Sequence, residues 1–419
     1  MVEVDKSNLA QGAEKSVTQS PISKEPSSAG EHTTSASQKG ATLYSVTGLE
    51  ELSGSTRGSA RPGGINNIGQ VVGWASFPIP PQGPAPASTV DQAFLWRVGG
   101  IQALGVLSGK QAPGVLPQRH DFSRAHAIND RGVVVGSSAI QFSASSHAFL
   151  WNELTGMEDL GTAPKSHLDN IDPNSDVELF SVANAINNFG QVVGTSGVSG
   201  GPIRTTGCSW SRSTGRMLGL RKNRPFSKAN AINDHGRVVG TSFTQEPNTF
   251  RSEDHAFIWS PNTRMEDLGT LPDHRFSVAN AINNPGQVVG WSSNVQEGHT
   301  RAAFIWKEST GMQDLGTLPD HQSSEAHAIN NSGEVVGGSF SPHSGESEEE
   351  SEERSKHAFI WSESTGMQDL NDLIPPDSGW ALLRAHDNNE SGQILCEGIH
   401  TTGPDNAKER RLCVLTLNS

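Results

Sequence analysis

Six polar residues occupy one place in successive copies of a short pattern: His126, Asn184, Asn230, Asn280, His327 and His386. The remaining copy has Gly63 there. If the copies surround an axis, these amides and imidazoles become channel-lining candidates, offering donors and acceptors to a polar ligand. They can equally bond neighbouring backbone and hold the copies in register, as buried polar groups generally do. Imidazole is also a metal ligand, but a metal site needs convergent ligands. The three histidines fall in the second, sixth and seventh copies, which looks too scattered for one ion.

Other chemistry-bearing residues are weaker candidates. His147, His255 and His357 each open a His-Ala-Phe triplet, one per copy, so recurrence separates them and a structural role is expected. Asp172, Asn174, Asp176 and Glu178 place oxygen ligands at alternate positions, like the start of a calcium loop. Val177 stands where such a loop needs glycine, and Ala183 where it needs a bidentate glutamate. A solvated acidic loop is the simpler expectation, with calcium the one cofactor to consider. Gly197-Val198-Ser199-Gly200-Gly201 matches the nucleophile-elbow pattern without the strand–turn–helix context that motif requires. No zinc-protease, Walker-type or dinucleotide motif occurs.

The elements that must position these residues follow from the repeat. Ala279-Asn280-Ala281-Ile282-Asn283-Asn284-Pro285-Gly286-Gln287-Val288-Val289-Gly290 has near copies anchored at Ile65, Ile128, Ile186, Ile232, Ile282 and Ile329. A degenerate seventh places Asn388 at the isoleucine position. The alternating Ala-x-Ala-Ile and the Val-rich run predict two strands, A and B. Asn-Asn-x-Gly between them is turn chemistry, with both residue types tolerant of left-handed angles. Strand C is His-Ala-Phe-Ile-Trp and its variants, whose tryptophans (Trp96, Trp151, Trp210, Trp259, Trp306 and Trp361) predict packing between units. Strand D is Gly-Met-Glu-Asp-Leu-Gly, as in Gly156 to Gly161.

Four-stranded antiparallel units repeated radially make a β-propeller. The seventh unit runs out after strand C, at Arg411 to Leu415. Its missing strand is predicted before the first unit, where Thr47 to Leu52 echoes Thr155 to Leu160; a register pairing Leu49 with Leu160 is equally compatible with the spacing. The fold class is therefore all-β: a seven-bladed propeller whose last blade is closed by an N-terminal strand. The A–B and C–D turns lie on one face of such a disc, the B–C loops and D–A crossings on the other. Length variation concentrates in the second set, as in the Pro-rich stretch Pro78 to Val90, Lys165 to Glu178 and the Glu-rich run Ser344 to Glu353. Variable loops on a rigid frame tend to carry function.

Residues 1–40 are rich in Ser, Thr, Glu, Lys and Gln and predict a disordered low-complexity tail, leaving residues 41–419 as the propeller. That tail lacks an apolar signal core, and no later stretch approaches a membrane span. A net charge of −14 argues against nucleic acid as a partner. Three cysteines make no disulfide framework. Cys396 and Cys413 fall on neighbouring predicted strands, so either a bridge or two buried thiols fits. A monomer is expected.

The linked motifs Asn-Ala-Ile-Asn-Asn-x-Gly-Gln-Val-Val-Gly, His-Ala-Phe-Ile-Trp and Asp-Leu-Gly-Thr-Leu resemble the HAF-repeat family over roughly Tyr44 to Leu417. That resemblance implies a propeller-like fold and, since the family is often described as extracellular, an extracellular location. The lack of a signal peptide points instead to the cytoplasm. It supplies no enzymatic role. The expected function is non-catalytic binding or scaffolding, recognising a protein or glycan through the B–C/D–A face. The alternative is a propeller enzyme, a lyase or hydrolase with a polar site at the channel mouth. A convergent cluster of Asp, Glu or His at one mouth would favour the enzyme.

Overall fold

The computed structural model describes residues 42–79, 88–107, 122–140, 145–165, 168, 175–198, 205–211, 216–219, 226–245, 252–294, 300–341, 356–402 and 407–418. The chain divides into Met1–Lys39 and Gly40–Ser419, and the first unit lies outside the described residues. The second is an all-β propeller of seven four-stranded antiparallel sheets.

Strand β1 (Tyr44–Gly48) precedes blade one, which comprises β2 (Arg61–Ile65), β3 (Val71–Ile79), β4 (Ser88–Arg97) and β5 (Gly100–Ala103) as strands A to D. Blade two repeats the order as β6 (Ser123–Ile128), β7 (Val134–Ala139), β8 (Ser146–Asn152) and β9 (Gly156–Asp159). Blades three to six continue it between Leu179 and Asp369. Blade seven is β26 (Trp380–Asn388), β27 (Ile394–Thr402) and β28 (Ala407–Leu417), with β1 as its outer strand.

The closing strand is thus the one expected, in the second of the two registers. Gly48 pairs with Cys413 as Asp159 pairs with Phe149. Leu49 donates its N–H to the Leu412 carbonyl as Leu160 does to Ala148. Leu49 is therefore the counterpart of Leu160, and the Thr-Gly echo was offset by three residues. Burial explains the choice, because Tyr44 is 2% exposed and packs into the blade-seven core only in this register.

Strands B and C are buried on both faces. Val134 and Val135 are both fully buried, as are Val288 and Val289, because each blade is sandwiched between two neighbours. The core is accordingly a set of interblade clusters. One joins Val72, Ala93 and Leu95 of blade one to Ala125, Ile128, Phe149 and Trp151 of blade two.

A β-bulge interrupts strand A of every blade at the recurring polar position, between Ala125 and Ala127 in blade two and between Ala279 and Ala281 in blade five. It pushes the strand A carbonyl against strand B, and a Cβ on Gly136 would run into the Arg124 carbonyl oxygen. This is why Val-Val-Gly ends in glycine. The space over that glycine is filled from strand C by Phe149, or by Phe94, Phe257, Phe304 and Phe359 in other blades. In blade seven Cys396 replaces the glycine and Cys413 the phenylalanine, directly paired across strands. Both thiols are free and buried, as is Cys208, so the cysteines fill volume.

Two local expectations need correction. In the Asn-Asn-x-Gly turns only the glycine adopts a left-handed conformation (φ +77° at Gly69, +91° at Gly286); the asparagines do not. Their role is bonding: Asn66 accepts from Gly69 at its carbonyl and from the Gln70 N–H at Oδ1. The stretch from Pro78 to Val90 is also shorter as a loop than expected, since Pro78 pairs with Thr89 and Ile79 with Ser88. Residues 80–87 and the Glu-rich run at 344–353 lie outside the described residues.

Candidate binding site at the axial mouth

Strand A is innermost, and the A–B turns of all seven blades converge on one cavity of about 230 Å³ at the axis. Two closed hydrogen-bond rings hold that mouth. The first asparagine of each turn donates from Nδ2 to the carbonyl of its counterpart in the next blade, from Asn66 to Asn129 at 3.0 Å around to Asn389 and back to Asn66 at 2.9 Å. The second turn residue accepts at its side-chain oxygen from the backbone N–H of the preceding blade. That ring runs through Asn67, Asp130, Asn188, Asp234, Asn284, Asn331 and Glu390, at 2.8 to 3.1 Å. These side chains are committed to joining blades.

The bulge residues form a third, incomplete ring one layer deeper. Asn184, Asn230 and Asn280 each donate at 2.8 Å to an alanine carbonyl beside the next blade's bulge. His126 and His327 reach the equivalent carbonyls of Ala183 and Ala385 through Nδ1, at 3.0 and 2.8 Å. A bulge takes a carbonyl out of its own ladder, and the neighbouring side chain satisfies it. Gly63 has no side chain because blade two comes too close: a Cβ there would strike the Ala125 carbonyl. His386 departs from the pattern and turns to Glu397, with Nε2 at 3.2 Å from Oε2.

The histidines are less scattered than their sequence positions suggested. Blades six and seven are neighbours, and the His327 and His386 rings stack with centroids 5.7 Å apart. Around them the opposite mouth, on the B–C/D–A face, carries charge. Two residues before the bulge, strand A presents Arg61, Arg124, Val182, Lys228, Val278, Glu325 and Arg384 in blade order. The charge recurring at this position was visible in the sequence and is the signal by which this mouth could have been found.

A cavity of about 360 Å³ opens there between blades six, seven and one, lined by Arg61, Pro62, Trp74, Lys356, Leu383, Arg384, His386, Glu397 and Arg410. Glu397 is 6% exposed. Burial alone would raise its carboxyl, but the His386 hydrogen bond and the charges of His386, Arg410 and Arg61 outweigh it and bring it to about 2. Arg410 contributes a 3.0 Å ion pair to Oε1. His386 is held below the usual imidazole range, chiefly by burial and despite the Glu397 bond. With Glu397 ionised and accepting, the His386 proton sits on Nε2 and Nδ1 carries the lone pair. Beside this pair, Arg301 bridges to Glu325 while lying 4.2 Å over the Trp291 ring, and His327 Nε2 is 3.4 Å from Glu325. Burial first, opposed by the Ala385 carbonyl bond, lowers His327 to about 4. A convergent set of Glu and His side chains does stand at one channel mouth.

The remaining candidates are peripheral. His147, His255 and His357 pair through Nδ1 with Asp159, Asp267 and Asp369 on the outermost strand, at 2.9, 2.8 and 2.5 Å. Asp159 and Asp267 also accept from the N–H of Gly161 and Gly269, so the pair pins the D–A crossing at the rim. Of the calcium candidates, Asp172 and Asn174 lie outside the described residues, while Asp176 and Glu178 are exposed. Among the described residues no group of three His, Cys, Asp or Glu could hold a metal ion. No helix among them is long and apolar enough to cross a membrane.

Residues 250–405, less than half of the chain, match a family described as a protein of unknown function, DUF3466. No curated protein matches. Among solved structures the chain is similar to TolB from Acinetobacter baumannii, at 13% identity and a TM-score of 0.38 over 69% of this chain and 61% of that one. It is similar to an acylaminoacyl peptidase of Pyrococcus horikoshii at 11% identity and 0.46, covering 88% of this chain and 51% of the peptidase. An oligogalacturonate lyase in complex with manganese gives 9% identity and 0.47, over 90% and 99%. The chain thus spans only about half to three-fifths of the first two, and no residue role passes to it from any of the three.

Proposed function

We propose that the protein is a binding or scaffolding propeller that recognises a protein or glycan through its B–C/D–A face. The observation that carries this reading is the contrast between the two axial mouths. At the A–B mouth the ring side chains are spent on joining blades. At the other mouth they differ from blade to blade and surround a basin with Arg, Trp and Glu at its walls. Binding sites are concave, with a few oriented polar groups.

All three native cysteines are buried, so an introduced surface cysteine can be labelled selectively with a bulky maleimide. Gln322→Cys places the label on an exposed residue just before strand A of blade six, hydrogen-bonded to Phe340, which pairs with Lys356 of the basin wall, and Ile68→Cys places it on an exposed A–B turn. On a glycan and peptide array, the Gln322 label should abolish binding and the Ile68 label leave it intact. The reverse outcome would overturn the assignment of the face.

The convergence of Glu325, His327, His386 and Glu397 at this mouth meets the condition set from the sequence for the alternative, a propeller lyase or hydrolase, and supports that second reading. An ionised carboxylate that fixes a neutral imidazole, whose Nδ1 makes no hydrogen bond among the described residues, is the arrangement of a general base. Under that reading His386→Gln abolishes turnover, while binding, held by the arginines of the basin, weakens far less. Under the first reading no turnover exists to lose.

A further inference from the structure

We infer that the basin between blades six, seven and one binds a hydroxylated organic carboxylate of about monosaccharide size, gripped by Arg384 with Arg61 beside it. This inference rests on the reading of that face as the binding face.

Arg384 is the starting point. It lines the basin half-buried, and its guanidinium makes no hydrogen bond or ion pair among the described residues. Its charge instead works against its neighbours, helping to lower Arg301, His327 and His386. Its partner across the strand pair is ionised Glu397, but that carboxylate is taken up by His386 and Arg410, which leaves a half-buried cation without an anion of its own among the described residues. It is nevertheless built in: Gly338 faces it, and a Cβ there would stand 3.4 Å from Arg384 Cγ, so its stem has a reserved place. Arg61 lines the same wall with Nη1 turned to the Gly58 and Ala60 carbonyls at 3.2 and 3.0 Å, which leaves its other donors for a ligand. Three guanidiniums and Lys356 line one cavity of a chain with net charge −14, a local departure from its overall field, and with Arg410 paired to Glu397 it is Arg384 and Arg61 that a ligand meets.

The walls narrow the ligand class. A guanidinium fork matches the two oxygens of a carboxylate. Glu397 in the same wall is already matched by Arg410, so the planar fork of Arg384 and the free donors of Arg61 are what a carboxylate would meet. The Trp74 ring and the His386 imidazole line the same wall, a flat surface and a polar ring for a hydroxylated ligand. A volume of about 360 Å³ suits one sugar-sized ring.

Calorimetry of the full chain with D-glucuronate, D-glucose and D-glucose 6-phosphate tests this, since the three share a ring and differ in charge. Glucuronate should bind at least tenfold more tightly than glucose. Arg384→Gln should lose that advantage tenfold or more and Arg384→Lys lose less, while Arg131→Gln on the opposite face changes nothing. If Arg384→Gln fails to fold, Arg61→Gln takes its place, with the same loss expected. Equal affinity for glucuronate and glucose, tighter binding of the phosphate, or indifference to both arginine variants would overturn the inference. Absence of glucuronate binding while the Gln322 label still blocks a partner would sink the ligand class and leave the face standing.

Discussion

Asn233 shows how much one side chain does in this ring. Its Nδ2 donates to Asn283 of the next blade, while its Oδ1 accepts from the N–H of His235 and of Arg237 within its own turn. Three backbone groups thus lose a partner in Asn233→Ala, and buried groups left unpaired cost about 1–3 kcal/mol. Urea denaturation should show a loss in that range, against little change for His235→Ala at the exposed neighbouring turn position. His327 offers a second test, because asparagine does the same work in blades three, four and five. Its imidazole falls from 6.5 to about 4 on folding, so the unfolded chain takes up a proton between those values. Stability from this group is complete above pH 6.5 and is lost as the pH falls toward 4, by up to about 3 kcal/mol before screening through its 17% exposure. His327→Asn should keep the bond to Ala385 and lower the pH at which acid unfolding begins. The sequence put these residues at one recurring position; it could not say that each serves the next blade's bulge, because a bulge is a property of strand pairing.

At the scale of the element, β1 decides whether the ring closes. It covers the free edge of β28 through five paired residues, and Leu49 continues the pairing. Deleting residues 42–48 would expose that edge and uncover Leu415, which is fully buried. Exposed edges invite pairing between chains, so the truncated protein should aggregate on heating, with light scattering rising at concentrations where that of the full chain does not. The Cys396–Cys413 pair belongs to the same blade. Burial pushes both thiols well above their ordinary range, so neither should react with a maleimide until denaturant unfolds the blade. Strand composition made β27 and β28 neighbours in advance. Bridge or no bridge was open because it turns on side-chain direction across one strand pair.

For the molecule as a whole, the two faces have divided their work. Hydrogen bonds close the A–B face into a hoop and let the sequence there stay nearly uniform. The B–C/D–A face is released from that duty and has diverged, from Val182 and Val278 to the arginines of blades one, two and seven. Acid should affect both faces together: His126, His327 and His386 all lie below their ordinary value, chiefly through burial, and all sit near the axis. A pH titration followed by near-ultraviolet circular dichroism should therefore lose its signal in one transition below pH 6.5, and a variant carrying asparagine at all three positions should lose it at lower pH.

The residues alone determined the repeat, the strand count per unit, the closed ring of seven and the face on which variation gathers, because hydrophobic period and turn chemistry act over a few neighbours. Tertiary structure decided which polar residues meet. Arg384, His386 and Glu397 of the last blade reach Arg61 and Trp74 of the first only because circular closure brings the two ends of the chain side by side. No local pattern encodes that adjacency; the curvature summed over seven blades does.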